Sequence, residues 1–305
     1  MSNALSHPWA KVLIPLARAF IRFAPPSSAR ENLWQRIVEP YLAWRGHRFV
    51  ANTVAGRIAG NTNDIIQQYL YYFGTWEPQV TAFVLRRLQS GDGFVDVGAN
   101  IGFFSLLASR KVGPRGSVVS IEASPEIFSL LQSNISRNRA RVRALHFAAS
   151  DSRGQLALYA GDECNCGTTT IAAAPDTVAK AVVEAAPLEE LLTAEEMAQA
   201  RLVKIDVEGA EAAVIAGADS LLNRGRTDCE FLVEIHPEML SRLGRHAEDV
   251  LTPFRDAGYH AYVLENDYEA TAYLQPSPPS RLQRLRDPIE EDTNVVFSRT
   301  NAEEL

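Results

Sequence analysis

Long hydrophobic runs are absent from this sequence of 305 residues. Its most apolar early segment, Val12 to Phe23, is interrupted by Arg18 and Arg22, whereas a membrane span needs roughly 18–20 consecutive apolar residues. The double proline that follows does not resemble the small-residue cleavage site of a secretory signal. We therefore expect a cytoplasmic protein without a transmembrane helix.

Cysteine is also scarce. Cys164, Cys166 and Cys229 are too few and too unevenly spaced for a disulfide framework. A single residue separates the first two, whereas a redox or zinc motif has two residues between its cysteines. Apolar residues make up 46% of the chain and charged residues 22%, which excludes a disordered chain and a collagen-like fibre. The composition is typical of a globular protein in a reducing compartment, with unreactive thiols.

Positive charge is concentrated at one end of the chain. Residues 1–60 contain eight Lys and Arg but only two Glu, a net charge of +6, whereas the whole chain carries −7. The remaining residues therefore carry −13. A basic N-terminal segment on an otherwise acidic chain suggests an anionic partner, such as a lipid surface or a phosphorylated substrate. We do not expect a nucleic acid as the partner. The alternative is a solvated helical face that pairs with the acidic body.

The first 62 residues are predicted to form an N-terminal helical and β extension, followed by one large domain over residues 63–305. Apolar residues recur with helical spacing from Trp9 to Phe23, where Pro15 and the Pro25-Pro26 pair should limit the helix. A second helix is expected from Glu31 to Trp44 and a short hairpin over 47–60. Further helices are expected over 64–72 and 78–88.

After Gly91, short apolar runs alternate with segments of helical length. Seven runs are predicted strands: Phe94–Val97, Val118–Ile121, Ala144–Ala148, Leu202–Val207, Phe231–Ile235, Tyr259–Leu264 and Asn294–Phe297. The helices between them are predicted at Gly102–Arg110, Pro125–Arg137, Leu188–Gln199, Gly209–Leu222 and Ala247–Ala257. This alternation predicts an α/β fold with a doubly wound, seven-stranded, mostly parallel sheet.

Residues 151–186 interrupt the alternation. Leu156–Tyr159, Thr168–Ile171 and Ala181–Glu184 could add short strands to the edge of this sheet, and the proline-rich residues 276–279 should form a loop.

The first predicted strand ends in the turn Asp96-Val97-Gly98-Ala99-Asn100-Ile101-Gly102. Gly98 would permit a tight turn and close approach of a ligand, and Gly102 would let the next helix pack near the strand. Asp96 lies at the carboxyl end of the strand, where open α/β sheets bind ligands. The turn lacks the second glycine of a dinucleotide site, because Asn100 stands in its place and would crowd a diphosphate.

Glu122 ends the next apolar run. In nucleotide-binding α/β folds, an acid at this distance beyond the glycines accepts hydrogen bonds from both ribose hydroxyls. A glycine turn and a ribose acid without a diphosphate cradle favour S-adenosylmethionine (SAM) over NAD. The alternative is a glycine turn that serves packing only.

Acidic residues and one histidine follow two later strands. Lys204, Asp206 and Glu208 alternate, as do Glu234 and His236, so each set would point to one side of its strand. If the two strands are neighbours, these side chains converge at one edge of the sheet. The cluster could supply a general base, bind a divalent ion, or form a structural network of paired charges.

These segments together resemble the FkbM family of SAM-dependent methyltransferases. The matching segments are Tyr72-Phe73-Gly74-Thr75-Trp76-Glu77-Pro78, the glycine turn, Ile121-Glu122-Ala123-Ser124-Pro125, Lys204-Ile205-Asp206-Val207-Glu208-Gly209-Ala210-Glu211 and Glu234-Ile235-His236-Pro237. The resemblance implies a Rossmann-like class I methyltransferase sheet and O-methylation of a hydroxyl group on a sugar, glycolipid, polysaccharide or polyketide-type natural product.

The resemblance also implies roles for individual residues. The implied cofactor contacts are Glu77, Asp96, Gly98, Ala99, Asn100, Gly102, Glu122, Ala123, Ala149, Ser150 and Asp206, with Asp151 close to the adenine. The cluster at the two strand ends, rather than the resemblance, supplies the candidate catalytic set, which is His236, Asp206, Glu234, Glu208 and Lys204, with no metal. We expect Glu77 to orient the glycine turn or the amino group of the cofactor.

Our mechanistic hypothesis makes His236 the general base, oriented by Asp206 or Glu234. Two other functions remain open: an NAD-dependent oxidoreductase, and a catalytically silent nucleotide-binding module that interacts with a partner. The expected partner is a small-molecule, glycan-linked or lipid-linked acceptor, with peripheral membrane contact through residues 1–60.

Overall fold

Helices cover both faces of an eight-stranded sheet in the computed structural model of the chain. The structure describes residues 10–43, 45–160, 169–171, 178–274, 281–303 and 305. Among these residues, no helix has both the length and the apolar character that crossing a bilayer requires.

The described chain begins with helices and a hairpin. The elements are α1 (Ala10–Phe23), α2 (Ser27–Leu33), a π-helical stretch (Trp34–Ala43), β1 (Arg48–Thr53), β2 (Gly56–Asn61), α3 (Ile65–Tyr72) and α4 (Pro78–Arg87). The predicted hairpin and helices are confirmed, although α2 and the π-helical stretch replace one long helix. Pro15 lies inside α1 rather than limiting it, because burial of Ile14 and Ile21 outweighs one lost hydrogen bond. Trp9 and Trp44 lie outside the described residues.

An apolar cluster joins these first helices to the rest of the molecule. Trp34 is buried, and its ring lies edge-on to Tyr69 and Tyr72 of α3 with centroids 5.6 and 5.5 Å apart. Ile21 and Leu274 belong to the same cluster. The division of the chain after residue 62 stays a prediction, since residues from both sides share this cluster.

Strands and helices alternate after α4. The elements are β3 (Gly93–Val97), α5 (Phe103–Val112), a 3₁₀ turn (Gly113–Arg115), β4 (Ser117–Ile121), α6 (Pro125–Asn138) and β5 (Arg143–Leu145). Asn134 and Asn138 of α6 each exchange two hydrogen bonds with the backbone of β2, at Ala59 and Arg57. Asn134 also donates to the carbonyl of Ile101 at 3.0 Å, so one helix links the hairpin to the glycine turn.

A second sheet follows β5. It contains β6 (Ala148–Ser150), β7 (Gly154–Ala160), β8 (Thr169–Thr170) and β9 (Ala181–Pro187), in the order β6-β9-β7-β8. The predicted extra strands exist, but their predicted place at the edge of the main sheet is wrong. β6 pairs with β9, and Leu158, Val183 and Ala185 form an apolar cluster of their own, so this segment buries its own face. The predicted single strand over 144–148 is likewise divided between the two sheets.

The remaining elements complete the main sheet. They are α7 (Leu188–Leu191), α8 (Ala194–Gln199), β10 (Ala200–Ile205), α9 (Glu211–Ala216), α10 (Asp219–Arg224), β11 (Glu230–Ile235), α11 (Pro237–Arg242), α12 (Ala247–Asp256), β12 (His260–Val263), α13 (Ala270–Leu274), β13 (Gln283–Arg284) and β14 (Thr293–Ser298). The short β13 is an eighth strand that the sequence did not predict. Residues 276–279 lie outside the described residues.

The strand order is β13-β12-β14-β11-β10-β3-β4-β5. The pairings from β11 through β5 are parallel, and those from β13 to β11 are antiparallel. Val95 and Val97 pack into the apolar cluster on one face of the sheet, whereas Phe94 packs into the cluster on the other. The doubly wound, mostly parallel α/β fold is confirmed. The carboxyl ends of β3, β4, β10 and β11 therefore meet at one edge.

Cys229 lies at the start of β11 and is buried. Burial raises the pKa of its thiol to about 12, so this thiol is unreactive, as expected. Cys164 and Cys166 lie outside the described residues.

Candidate active site

The glycine turn connects β3 to α5 in a left-handed conformation. Gly98 has φ +82°, and a Cβ placed on it would lie 1.8 Å from the carbonyl oxygen of Asp206. The close approach at Gly98 is therefore made by the loop after β10. This contact explains the glycine without a ligand, and it couples the turn to the loop that holds the acidic residues.

All five backbone amides from Gly98 to Gly102 already donate hydrogen bonds within the protein. Gly98 and Ala99 donate to the carbonyl of Ile121, and Asn100 donates to Glu122 Oε2 at 2.9 Å. The remaining two amides bond inside the turn, to the Asn100 side chain and the Ala99 carbonyl. A dinucleotide site needs such amides for its diphosphate, so this turn offers no cradle for that anion.

Glu122 is buried at the end of β4. Its two carboxylate oxygens accept hydrogen bonds from the amides of Asn100 and Ser124, at 2.9 and 2.8 Å. Burial raises the pKa of Glu122 to about 7, although both amides oppose the shift. The carboxylate is thus held rigidly, and each oxygen retains a lone pair for a further donor.

A cleft opens beside Glu122 between the main sheet and the second sheet. Its polar lining includes Asn100, Glu122, Asp206 and Glu208. Its apolar lining includes Phe147, Leu156, Leu158 and Ile171. The predicted cofactor residues that line it are Gly98, Asn100, Glu122, Ala123, Ala149 and Asp206.

Several predicted cofactor residues do not line this cleft. They are Glu77, Asp96, Ala99, Gly102, Ser150 and Asp151. Asp96 is buried and accepts a hydrogen bond from Ser105 of α5 at 2.5 Å. The side chain of Asp96 therefore leaves the strand on the side of α5, and a contact of Asp96 with the cofactor stays a prediction. Ser150 belongs to β6 and follows the third strand of the main sheet, β5, as predicted.

The predicted convergence of charged side chains is observed, because β10 and β11 are parallel neighbours. Lys204 Nζ donates to Asp206 Oδ2 at 2.7 Å. Burial would lower the pKa of Lys204, but Asp206 and the other carboxylates raise it, so the ammonium stays charged. Burial would raise the pKa of Asp206, yet Lys204 and His236 hold it below its usual value. Asp206 is therefore an ionised residue of the cleft.

His236 is held by a residue that sequence reasoning did not assign. Its Nδ1 lies 2.9 Å from Glu211 Oε1, and the same oxygen accepts the amide of Gly209 at 2.9 Å. Glu211 is fully buried in the first turn of α9. The expectation that Asp206 or Glu234 orients His236 is thus corrected in favour of Glu211. Glu211 belongs to one of the segments that carry the family resemblance, and this position was the signal that could have identified it.

The protonation of His236 also differs from the hypothesis. Burial would lower its pKa, but the hydrogen bond to Glu211 and the surrounding carboxylates raise it to about 10. At neutral pH the ring is therefore an imidazolium, which has no free lone pair to take a proton. This charge state argues against His236 as the base in the resting site.

Two further carboxyl groups surround the imidazolium. Glu208 Oε2 and Glu234 Oε1 lie 3.8 and 3.9 Å from His236 Nε2. Burial, with a contribution from Asp206, raises the pKa of Glu208 to about 7. Burial together with Asp206 and Glu77 raises the pKa of Glu234 well above its usual value. Near neutral pH, Glu208 can therefore exchange a proton, whereas Glu234 stays protonated.

Glu77 and Tyr268 close the other side of this cluster. The Tyr268 hydroxyl lies 2.8 Å from Glu77 Oε1 and 3.0 Å from Glu234 Oε1. Burial raises the pKa of Glu77 to about 7, and its Oε2 is buried without a hydrogen-bond partner. Glu77 has φ +42° at the start of α4. No sequence pattern pointed to Tyr268, which lies in the irregular segment before α13.

A divalent ion remains a geometric alternative. One ligand atom each from Asp206, Glu234 and His236 lies within 4.8 Å of the others. However, the Lys204 ammonium already bonds Asp206, and His236 is an imidazolium. An imidazolium has no lone pair for a metal, and the Lys204 ammonium competes with a metal ion for Asp206, so a charge network describes these residues better.

The chain is similar in sequence to known methyltransferases. A family model described as the methyltransferase FkbM domain matches residues 96–261. The hexuronic acid methyltransferase AglP of Haloferax volcanii is 28% identical over 160 residues, covering 52% of this chain and 62% of that protein. The 31-O-demethyl-FK506 methyltransferase FkbM of Streptomyces tacrolimicus is 29% identical over 160 residues, covering 43% of this chain and 61% of its own length.

The chain therefore spans about three-fifths of the length of these curated relatives. Among solved structures, a SAM-dependent O-methyltransferase of Thermotoga maritima aligns with 15% identity and a TM-score of 0.40, over 84% of this chain and 79% of its own. The fold assignment rests on the strand order of the sheet itself. Because the family model covers more than half of the sequence, the chain belongs to the FkbM methyltransferase family.

Proposed function

We propose that this protein is a SAM-dependent O-methyltransferase. The observation that carries the proposal is the charge of the cleft and its surroundings. Among the described residues, the cleft and its surroundings hold five buried or half-buried carboxyl groups with raised pKa values and two positive side chains, Lys204 and His236. A cation bound there would stabilise the ionised form of these carboxyl groups. The five groups are Glu77, Asp96, Glu122, Glu208 and Glu234. Such a site favours a cationic ligand, and SAM carries a sulfonium and an ammonium group.

The residues present fit this cofactor. Glu122 would accept the ribose hydroxyls, because its oxygens retain lone pairs at the cleft wall. The ionised carboxylate of Asp206, which lines the cleft, is a suitable acceptor for the ammonium group. Apolar side chains of Phe147, Leu156 and Leu158 would pack on the adenine. When bound, SAM supplies an electrophilic methyl group, so the protein mainly has to position the acceptor and remove its proton.

We assign proton removal to Glu208. It lines the cleft, and its pKa of about 7 suits proton exchange at neutral pH. Asp206 is ionised but is already bonded to Lys204. His236, held by Glu211, keeps a positive charge beside Glu208 and stabilises its carboxylate before the proton is taken.

The oxidoreductase alternative is disfavoured. NAD carries a diphosphate, yet every amide of the glycine turn is already bonded. An acidic cleft also repels that diphosphate. The alternative of a catalytically silent module predicts cofactor binding without turnover. The experiment with labelled SAM, described below, distinguishes this alternative from an active methyltransferase.

The acceptor is proposed to be a hydroxyl group of a sugar, glycolipid, polysaccharide or polyketide-type natural product. Support comes from relatives whose names specify a hexuronic acid and 31-O-demethyl-FK506. The names place these relatives among enzymes that act on oxygen-rich acceptors. We also propose a cytoplasmic location, as the sequence predicted.

Isothermal titration calorimetry with SAM and with NADH tests the cofactor. A cationic ligand should lower the raised pKa values of the site, so SAM binding should release protons at pH 6.5. The measured enthalpy would then depend on the ionisation enthalpy of the buffer. Glu122→Gln should weaken SAM binding about tenfold, while Glu126→Gln on the exposed start of α6 should not. Tighter binding of NADH, or SAM binding without proton release, would contradict the proposal.

Methyl transfer is tested with isotopically labelled SAM and a host extract of glycans and lipids. We expect one product class with a single added methyl group, absent when Glu208→Gln is used. SAM binding with no labelled product from any extract fraction would support the silent module instead.

A further inference from the structure

Helix α1 presents an apolar face that is largely exposed in the described structure. Its exposed side chains include Leu16 at 60% and Phe23 at 77% exposure. At 100° per residue, the five exposed large side chains fall within an arc of about 100°. These side chains are Val12, Leu13, Leu16, Phe20 and Phe23. The opposite face of α1 carries Ile14, Ala17 and Ile21, which are buried in the protein.

Helix α1 thus has two apolar faces, and folding requires only the buried one. A helix at the surface of a globular protein buries one apolar stripe and exposes a polar face. Here the buried stripe already packs against α3 and the π-helical stretch. The π-helical stretch likewise exposes Ile37 and Tyr41. Clustered exposed apolar groups of this kind mark an interaction site.

The distribution of charge along the chain indicates which partner would cover the exposed apolar face of α1. Residues 1–60 have a net charge of +6, and the rest of the chain has −13. An anionic bilayer would attract the end that carries α1 and repel the body, which orients the molecule with its exposed apolar face toward the lipid. A second copy of the chain would bring two basic ends together, and this like-charge contact disfavours a homodimer through α1.

Helix α1 is connected to the candidate active site through Arg30 of α2. Arg30 donates to the carbonyl of Ile21 in α1 at 3.4 Å and to the carbonyl of Leu274 at the end of α13 at 2.7 Å. Tyr273 of α13 packs edge-on against Tyr69 with centroids 4.8 Å apart. The segment before α13 carries Tyr268, whose hydroxyl contacts Glu77 and Glu234.

We propose that α1 docks this protein on an anionic membrane surface, with Val12, Leu16, Phe20 and Phe23 in the interfacial region of the lipid. Docking itself is independent of the chemistry. Its consequence, that the acceptor hydroxyl belongs to a lipid-linked glycan at that surface, rests on the methyltransferase function proposed above.

Co-sedimentation with vesicles tests the docking. The full chain is mixed with vesicles of phosphatidylcholine alone, or with vesicles that also contain about 30% phosphatidylglycerol. The second lipid gives the vesicles a negative surface potential, as on the cytoplasmic face of a cell membrane. We expect at least tenfold tighter binding to the anionic vesicles, weakened when salt is raised. Leu16→Glu/Phe20→Glu should lose this binding at least tenfold. Val178→Glu/Val182→Glu, which changes two exposed valines outside α1, should bind like the wild type.

Circular dichroism and thermal unfolding must show both double variants folded. If the α1 variant unfolds, Leu16→Ser replaces it, because this exposed position needs no buried partner. Equal binding of the α1 variant and the wild type would overturn the proposal. A wild-type dimer that Leu16→Glu/Phe20→Glu converts to a monomer, without vesicle binding by either, would assign the face to a second copy and also overturn it. SAM calorimetry on the same samples reports the cofactor site separately.

Discussion

His236 illustrates how a neighbour decides what a residue can do. As an isolated imidazole it titrates near neutral pH and suits a general base. Glu211 changes this by bonding Nδ1 at 2.9 Å from a fully buried position. The ring becomes an imidazolium, and the role of proton acceptor passes to Glu208, which lines the cleft.

The pH profile distinguishes these two bases. With Glu208 as base, kcat/KM should rise with pH through about 7 and then level off, because the ionised carboxylate is the active form. With His236 as base, the rise would continue to about 10. We expect Glu208→Gln to lower kcat at least 100-fold with SAM affinity nearly unchanged. A profile that still rises above pH 9 would contradict the assignment.

Glu211→Gln tests the contact that sets the charge of His236. The amide keeps the shape of the side chain but removes its negative charge. The pKa of His236 should therefore fall from about 10 toward its usual value, as followed by NMR titration of the imidazole. Glu208→Gln is the matched control and should lower this pKa less, because its oxygen lies farther away at 3.8 Å. An unchanged pKa in Glu211→Gln would show that other groups hold the proton.

At the scale of elements, the loop after β10 and the turn after β3 form one unit. Gly98 lies against the Asp206 carbonyl, and the Asp206 amide donates to the Val97 carbonyl at 3.0 Å. The glycine turn and the loop after β10 are therefore held together by direct contact. The second sheet supplies the apolar wall of the cleft on the opposite side, through Leu156 and Leu158.

Gly98→Ala should push the turn after β3 away from the loop after β10. The added methyl would lie 1.8 Å from a backbone oxygen, so the free energy of unfolding should fall by more than about 3 kcal/mol, measured by urea denaturation. Gly91→Ala is the matched control, because Gly91 also has positive φ but has no atom within 4 Å of the added methyl. It should cost about 1–2 kcal/mol. Equal losses in the two variants would mean that the close contact is unimportant.

For the whole molecule, the acidic site should make stability depend on pH. Glu77, Glu122 and Glu208 have folded pKa values of about 7, above their unfolded value of 4.5. Between these values the unfolded chain ionises while the folded site holds protons, so stability falls as pH rises from 4.5 to 7. His236 adds stability below pH 6.5 that is lost as pH rises through about 10. Both effects have the same sign.

We therefore expect the melting temperature without ligand to decrease steadily from pH 5.5 to pH 9, measured by calorimetry. Glu77→Gln/Glu208→Gln should flatten the decrease by several degrees, and Glu184→Gln/Glu238→Gln on the surface should leave it unchanged. A melting temperature that is constant or rises over this range would contradict the proposed charge imbalance.

Sequence alone determined the main order of strands and helices and the turn at Gly98, and it predicted that Asp206, Glu208, Glu234 and His236 would meet if their two strands were neighbours. These follow from local periodicity and from the rule that parallel strands end at a common edge. Tertiary structure alone decided that Asp96 faces α5, that Glu211 holds His236, that β6, β7, β8 and β9 form a separate sheet and that Tyr268 reaches the site. Each of these depends on burial and on contacts between distant segments, because burial sets both the direction of a side chain and the charge it carries.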